Sequence, residues 1–172
     1  MAVDLAAKIR DVPDFPKPGI VFKDIMPLLA DPAALQEIVD LLAEWIEPRQ
    51  PDVILGAEAR GFILGAALAY KLDCGFVAAR RPGKLPWKTV SATYALEYGE
   101  NTLELHADAI ASGARVLVHD DVLATGGTAK AICDLAEQLG GEIVGVAFAI
   151  ELAFLEGRKH LERYDVHSLI TY

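Results

Sequence analysis

Two adjacent carboxylates, Asp120 and Asp121, follow an apolar run of strand length at residues 115–119. A turn of small residues comes next, and residues 129–139 then have the spacing of a helix. The turn consists of Ala124, Thr125, Gly126, Gly127 and Thr128. Its glycines let backbone N–H groups close on an anion, its threonines add hydroxyl donors, and the helix N-terminus adds partial positive charge. The segment therefore predicts a phosphate-binding loop.

The acidic pair needs a partner other than the phosphate, because carboxylates beside a phosphate would repel it. An ionised carboxylate only accepts hydrogen bonds, so the 2′ and 3′ hydroxyls of a sugar suit Asp120 and Asp121. A ribose 5-phosphate would satisfy both ends of the motif. The alternative is an ordinary strand–turn–helix whose glycines serve packing and whose carboxylates are solvated. Neither the P-loop pattern G-x-x-x-x-G-K-[ST] nor the dinucleotide pattern G-x-G-x-x-G occurs.

The motif resembles the signature that binds 5-phosphoribosyl 1-pyrophosphate (PRPP) in the type I phosphoribosyltransferases. Further segments are similar to the branch of that family that uses adenine, at residues 14–25, 56–62, 80–86 and 94–99. The resemblance implies an α/β fold, with a mostly parallel twisted sheet flanked by helices, in a single domain of residues 1–172. It also implies a small N-terminal hood of roughly residues 1–30 and a flexible lid of roughly residues 81–105.

The loop Glu58-Ala59-Arg60 lies where a predicted strand ends and a helix starts. Backbone N–H groups there, together with Arg60, could hold a diphosphate, and Gly61 would permit close approach of a ligand. The alternative is an arginine that begins a helix with a surface charge. The resemblance implies that this loop receives pyrophosphate, with a cis peptide bond between Glu58 and Ala59.

Three cations, Arg80, Arg81 and Lys84, cluster at the start of the long loop that follows the next predicted strand. A solvated run of charge usually explains such a cluster, but the long loop that carries this one favours neutralisation of pyrophosphate. The resemblance implies that one arginine of the segment reaches the neighbouring subunit's site. Pro82 stands where the family commonly has a basic residue, so the division of roles among the three cations is open.

Glu97 lies between Leu96 and Tyr98 on a predicted hairpin. From spacing alone, a single glutamate on an exposed strand is usually only solubilising. Because the Glu-Tyr-Gly sequence matches the lid of the family, the resemblance implies that Glu97 approaches the imidazole side of a purine and acts as general acid or base.

Val21, Phe22 and Lys23 follow a turn rich in proline and glycine, and on their own they predict an apolar strand that packs on the core. The resemblance implies that Phe22 stacks on adenine, while the backbone of Val21 reads the N6 donor and the N1 acceptor. A 6-oxopurine reverses both groups and would leave buried polar groups without partners. Val122 and Leu123 would form an apolar floor. Lys23 stands where the family usually has arginine, so its contact to the base is open.

The composition indicates one globular domain with a substantial core, since 53% of the 172 residues are hydrophobic and 24% are charged. A net charge of −9 opposes nonspecific binding to nucleic acid.

No apolar run approaches the roughly 18 residues that span a bilayer. Residues 3–12 have the spacing of a short amphipathic helix rather than of a signal peptide. Cys74 and Cys133 lie far apart, so we expect reduced thiols in a cytoplasmic protein.

The remaining pattern alternates as a parallel α/β fold requires. Strands are predicted at residues 52–57, 75–80, 115–119, 143–150 and 166–170. Helices are predicted from the Asp31-Pro32 pair to the proline at 48, and at residues 60–72, 129–139 and 156–163. A loop without periodicity, residues 81–93, precedes a hairpin of residues 93–98 and 102–106. Ligands bind at the carboxyl ends of the strands in such sheets, so these ends are expected to bring the motifs together.

We therefore expect an enzyme that transfers the 5-phosphoribosyl group from PRPP to adenine and gives AMP and pyrophosphate, as the resemblance implies. Mg²⁺ is expected to be held mainly by substrate oxygens and water, with no direct protein ligand. The four histidines are expected to be satisfied or at the surface. The resemblance implies a homodimer, and neither nucleic acid nor a membrane is an expected partner. Two alternatives stay open: a phosphoribosyltransferase for another base, and a PRPP-sensing regulator on the same fold.

Overall fold

A computed structural model describes residues 3–95 and 99–172 of the chain. Two units can be distinguished, residues 1–41 and residues 42–172. The sequence predicts a hood that ends near residue 30, and the first unit continues to Leu41. Within the described ranges, every helix falls short of the length and hydropathy that crossing a bilayer would need.

The first unit contains an antiparallel strand pair, β1 (Arg10–Pro13) and β2 (Val21–Asp24), followed by helix α1 (Met26–Ala30). The helix predicted for residues 3–12 is wrong. Ala6–Lys8 form a single 3₁₀ turn, and Arg10–Pro13 are extended because their backbone pairs with β2 instead of with the preceding turn.

Helix α2 (Pro32–Ile46) begins where the sequence predicts it. The Oδ1 atom of Asp31 accepts hydrogen bonds from the N–H groups of Ala33 at 3.0 Å and Ala34 at 3.2 Å. Pro32 occupies the first helical position, where no N–H group is needed. The Asp-Pro pair is thus an N-cap, and the prediction is confirmed.

The second unit alternates strands and helices. In chain order its strands are β3 (Val53–Ala57), β4 (Gly75–Ala79), β5 (Thr89–Ala95), β6 (Glu100–His106), β7 (Arg115–Leu123), β8 (Glu142–Glu151) and β9 (Val166–Thr171). Helix α3 (Gly61–Lys71) connects β3 to β4, and α4 (Gly127–Gln138) connects β7 to β8. Five of the strands form a parallel sheet in the order β4-β3-β7-β8-β9. The predicted parallel α/β fold is confirmed.

Two strands of the second unit are longer than predicted. β7 continues through Asp120 and Asp121 to Leu123, because β8 pairs with it as far as Glu151. β5 begins at Thr89 and leaves a loop of only residues 81–88 in place of the predicted 81–93, because its backbone pairs with β6 along its whole length. The predicted helix at 156–163 is a 3₁₀ turn, Gly157–Leu161.

The hairpin of β5 and β6 is anchored in the core of the second unit. Leu103 and Leu105 are buried on one face of β6, as the alternation in the sequence predicts, and the partly buried Val90, Ala92 and Tyr94 of β5 pack on the same core. The core also holds Val118 and other apolar residues of the sheet and of α4. The base of the predicted lid is therefore part of the packed structure.

Candidate active site

Several of the predicted site residues of the second unit converge at one edge of the parallel sheet. The register pairs Ala57 with Ala79 and Gly56 with His119, so the segments that follow β3 and β4 leave the sheet beside the second half of β7. A cavity of about 160 Å³ lies at this edge. It is lined by Glu58, Ala59, Arg60, Arg81, Tyr94, Asn101, Thr102, Leu103, Asp120, Asp121 and Thr128.

Asp121 is paired with Arg60 inside this cavity. The Nε atom of Arg60 donates to Oδ2 of Asp121 at 2.5 Å, and the Asp121 side chain is only 5% exposed. Arg60 precedes the first residue of α3, so the pair joins the start of that helix to the end of β7. Two residues predicted for different parts of a substrate are therefore in direct contact.

Asp120 has a different electrostatic environment from its neighbour. Its Oδ1 atom accepts the N–H group of Asp121 at 2.8 Å. Burial, together with the adjacent charge of Asp121, raises the pKa of Asp120 well above the ordinary aspartate value. One member of the acidic pair thus has an arginine partner, while the other favours its protonated form.

Gly61 makes room for Asp120 rather than for a ligand. A Cβ atom at position 61 would lie 2.9 Å from Oδ1 of Asp120 and 3.3 Å from the carbonyl oxygen of His119. The sequence predicts that this glycine allows a ligand to approach, and the structure shows that the group it accommodates belongs to the protein.

The predicted phosphate loop, residues 124–128, connects β7 to α4. Gly126 has φ of +87°, a conformation that favours glycine, and α4 begins at the next residue. A second cavity of about 60 Å³ lies beside the loop. Its lining includes the loop residues Ala124, Thr125, Gly126 and Thr128, the β7 residues Asp120, Val122 and Leu123, and also Ala129 and Phe148.

The loop is supported from behind by Gly157, the first residue of the last 3₁₀ turn. A Cβ atom on Gly157 would overlap the carbonyl oxygen of Ala124 and would lie 3.1 Å from the backbone nitrogen of Gly126. A Cβ atom on Gly126 would in turn overlap the carbonyl oxygen of Gly157. Two glycines far apart in the chain therefore allow backbone to pack on backbone. The role of Gly157 could not be predicted from the sequence, because no local motif marks such a contact.

The Glu58–Ala59 peptide bond is cis, as the resemblance implies. The Glu58 carboxylate accepts a hydrogen bond from Nη2 of Arg80 at 2.9 Å and another from the N–H group of Arg81 at 2.8 Å. The bond from Arg80 contributes most to lowering the pKa of Glu58. Arg81 lines the larger cavity, whereas Lys84 is exposed and lines neither of the two cavities. The three predicted cations thus differ in their surroundings.

The residues predicted to hold adenine fall in both units. Strand β2 of the first unit carries Val21, Phe22 and Lys23. The rings of Phe22 and Phe15 meet edge to face, with their centroids 5.2 Å apart. A largely apolar cavity of about 220 Å³ within this unit is lined by Val12, Phe15, Phe22 and Asp24. The Nζ atom of Lys23 donates to Asp11 at 2.6 Å.

Glu97, the predicted general acid or base, lies outside the described residues. The described part of the same hairpin contributes Tyr94, Asn101 and Thr102 to the cavity of about 160 Å³ at the sheet edge. These three were not singled out as site residues, although Tyr94 stands within the segment that carries the resemblance. Their role depends on strand pairing, which a linear motif does not encode.

His119 does not fit the predicted picture of a satisfied or surface histidine. Its side chain is fully buried, and neither ring nitrogen makes a hydrogen bond of ordinary geometry within the described residues. Burial lowers the pKa of His119 to about 4. His119 is therefore neutral at physiological pH. Among the described residues, no three His, Cys, Asp or Glu side chains are grouped so that they could hold a metal ion.

Residues 26–170 match a family model described as a phosphoribosyl transferase domain. The chain belongs to the phosphoribosyltransferase family. It is 57% identical to the adenine phosphoribosyltransferase of Desulfitobacterium hafniense over 99% of both chains. The predicted family and the predicted enzyme class are confirmed by these similarities.

Solved structures of adenine phosphoribosyltransferases are similar to the whole fold. The enzyme of Thermoanaerobacter pseudethanolicus has a TM-score of 0.96 and 51% identity, with 98% of each chain covered. The enzyme of Saccharomyces cerevisiae has a TM-score of 0.91 and 38% identity, with 95% of this chain and 94% of that chain covered. The yeast structure was solved as a complex with adenine and an imino-altritol bisphosphate.

Proposed function

We propose that the protein transfers the 5-phosphoribosyl group from PRPP to adenine and releases AMP and pyrophosphate, a reaction of purine salvage. The observation that carries the proposal is that Asp120 and Thr128 each line both cavities at the sheet edge. A subsite for hydroxyl groups and a subsite for a phosphate therefore adjoin, as a ribose 5-phosphate requires. The adenine phosphoribosyltransferases among the relatives support the choice of base.

The loop of residues 124–128 binds the 5′-phosphate in this proposal. Gly126 and Gly127 present backbone N–H groups, the hydroxyls of Thr125 and Thr128 add donors, and the N-terminus of α4 contributes partial positive charge. This arrangement anchors the end of the donor that does not react, so that binding energy orients the anomeric carbon.

Asp120 and Asp121 accept hydrogen bonds from the ribose hydroxyls. When the bond to pyrophosphate breaks, positive charge develops at the anomeric carbon, and nearby carboxylate oxygens stabilise that charge. Arg60 keeps the Asp121 carboxylate oriented through the bond from Nε. A residue that orients the acid can at the same time present its remaining N–H groups to the leaving diphosphate.

The leaving pyrophosphate is held by the Glu58-Ala59-Arg60 loop and by cations of the next segment. Arg81 lines the cavity, and Glu58 fixes the position of Arg80 and of the Arg81 backbone. Two of the carboxylates at the cavity, Glu58 and Asp121, are bound to arginines, so the described residues do not offer a cage for Mg²⁺. A bound Mg²⁺ would be held mainly by substrate oxygens and water, and it would neutralise part of the charge of the diphosphate.

The base is recognised by Val21, Phe22 and Lys23, with Val122 and Leu123 as an apolar floor. Phe22 stacks on the adenine ring, and Glu97 handles a proton at its imidazole side. Closure of a lid within residues 81–105 excludes water, which limits hydrolysis of PRPP to ribose 5-phosphate. These assignments rest on the family resemblance.

The decisive experiment is the formation of AMP from adenine, PRPP and Mg²⁺, with guanine, hypoxanthine, xanthine and orotate as competing bases. Turnover confined to adenine supports the proposal. Turnover of another base would replace the substrate, and an absence of product at high enzyme concentration would favour a PRPP-sensing regulator. The double variant Asp120→Ala, Asp121→Ala is expected to lose activity, and near-normal turnover would contradict the role of the acidic pair.

The assembly and the cellular location stay predictions. A homodimer is expected, and size-exclusion chromatography with light scattering would test it. A cytoplasmic location is expected from the reduced cysteines, and binding to nucleic acid or to a membrane is not expected for a chain of net charge −9.

A further inference from the structure

Tyr94 reaches from the hairpin to the phosphate loop. It lies on β5, opposite Asn101, near the end of the described part of that strand. Its hydroxyl is 2.9 Å from Oγ1 of Thr128, and either atom could be the donor. A Cβ atom on Gly127 would lie 3.2 Å from Cδ2 of Tyr94, so the ring packs directly on the loop backbone. Among the described residues of the hairpin, no other side chain forms a hydrogen bond to the loop.

The direction of the bond between the two hydroxyls has a consequence for phosphate binding. A threonine hydroxyl has a single proton to donate, whereas it can accept two hydrogen bonds. A phosphate oxygen only accepts. If Thr128 donates to Tyr94, its proton is unavailable to a phosphate, and if Tyr94 donates to Thr128, the proton of Thr128 is available.

We propose that Tyr94 is a positioning residue for the 5′-phosphate of the donor. Its hydroxyl donates to Oγ1 of Thr128, and Thr128 in turn donates to a phosphate oxygen. Thr128 lines both cavities and Tyr94 lines the larger one, so the relay lies at the boundary between the ribose and phosphate subsites. The inference deepens the proposed function and rests on the assignment of residues 124–128 as the phosphate loop.

The relay also couples binding of the donor to the stability of the hairpin. Tyr94 precedes Glu97 by three positions on the same chain segment. A phosphate that fixes the Thr128 hydroxyl favours the donating arrangement of Tyr94, and hydrogen bonds in a chain strengthen one another. Occupation of the phosphate loop thus stabilises the strand that leads to the predicted general acid or base.

The test is the affinity for ribose 5-phosphate, measured by calorimetry, in the variant Tyr94→Phe. This variant keeps the ring on Gly127 and removes only the hydroxyl. Affinity is expected to fall roughly three- to tenfold, because a net hydrogen bond is worth about that factor. The KM for PRPP should rise by a similar factor, while the KM for adenine and the inhibition constant of pyrophosphate stay unchanged.

Tyr164→Phe is the matched control, because its hydroxyl donates to Glu137 at 3.2 Å and it packs on the same core outside both cavities. It should bind ribose 5-phosphate like the wild type. Thr128→Val provides a second measurement that does not depend on Tyr94. In a Thr128→Val background, Tyr94→Phe should cause no further loss, since the relay is already broken.

Several results would overturn the inference. They are unchanged ribose 5-phosphate binding in Tyr94→Phe, an equal loss in Tyr164→Phe, or additive losses in the double variant. A failure of the proposed function would look different, since a protein that forms no AMP can still bind ribose 5-phosphate and show the hydroxyl dependence. If Tyr94→Phe is too unstable to measure, wild-type-like binding by Thr128→Val would itself contradict the relay.

Discussion

The side chain of Arg60 donates from Nε to Oδ2 of Asp121 at 2.5 Å. This bond links the loop predicted for pyrophosphate to the acidic pair predicted for ribose. In the proposed function, a single arginine therefore orients the acid that binds the sugar and also belongs to the loop that binds the leaving group. Loss of either partner should weaken the binding of both the ribose and the pyrophosphate of PRPP.

Arg60→Met is expected to lower the free energy of unfolding by about 1–3 kcal/mol, because it leaves the buried Asp121 carboxylate without its arginine. The lower part of that range is expected, since Arg60 is 41% exposed and water weakens the pair. Urea denaturation measures the loss. The double variant Arg60→Met, Asp121→Asn should regain stability without regaining affinity for PRPP. Equal stability losses in the single and double variants would contradict the pairing.

Asp120→Asn is expected to preserve stability while it removes most of the activity. The raised pKa of Asp120 means that the folded protein keeps a proton that the unfolded chain has released, so the wild type loses stability as pH rises through that pKa. Asparagine does not ionise and avoids this loss. Turnover should nevertheless fall by roughly a hundredfold, because the developing positive charge of the proposed reaction favours ionisation of Asp120, and asparagine cannot ionise.

Urea unfolding across about pH 5 to 9 would check the stability part of this prediction, with Asp121→Asn as the comparison. Asp120→Asn should equal or exceed the wild type at the upper end of the range. Asp121→Asn should be the less stable variant, because it removes the buried carboxylate that pairs with Arg60. The opposite ranking of the two variants would show that Asp120 is the ionised member of the pair.

His119 should make the protein sensitive to acid. Its pKa of about 4 lies below the unfolded value of 6.5. Between these two values the unfolded chain binds a proton at this histidine and the folded protein does not. Stability is therefore complete above about pH 6.5 and falls as pH decreases toward 4, by up to about 3 kcal/mol. His119→Leu should remove this part of the pH dependence. His160→Leu, at an exposed position, should retain it, and an unchanged slope in His119→Leu would refute the assignment.

Gly157→Ala is expected to weaken PRPP binding although Gly157 lines neither cavity. The added methyl group would overlap the carbonyl oxygen of Ala124, so the phosphate loop must shift. We expect about 1–3 kcal/mol of destabilisation and a rise of roughly tenfold or more in the KM for PRPP, with a smaller change for adenine. Steady-state kinetics provides the measurement.

Gly113→Ala is the control for Gly157→Ala. A Cβ atom at position 113 would meet nothing within 4 Å, although its φ of +80° adds backbone strain. This variant should lose some stability and keep its KM for PRPP. If both alanine variants change the KM equally, the effect would come from general destabilisation and not from the loop.

The parallel sheet and its helices could be predicted because their signals are local. Asp31 and Pro32 mark a helix start by themselves, and an apolar run between turn residues marks a buried strand. The phosphate loop and the acidic pair are equally local, since all their atoms come from one strand–loop–helix segment.

The predictions that failed depend on partners distant in the chain. β7 is longer than predicted because β8 pairs with it beyond Asp120, and β5 starts at Thr89 because β6 lies opposite. Residues 10–13 are extended because β2 pairs with them. The contacts of Tyr94 with Thr128 and of Gly157 with Ala124 are of the same kind, so no linear pattern in the sequence could reveal them.

The contact between Gly126 and Gly157 bears on any attempt to move this phosphate loop into another protein. A transplanted strand, loop and helix would carry every group that the proposed function assigns to the phosphate, yet it would lack the turn that supports the loop from the opposite side. The smallest portable binding element in this molecule is therefore discontinuous. It comprises the segment from β7 to α4 together with the first residues of the turn at Gly157, and a host scaffold would have to provide a glycine at the equivalent point of its own backbone.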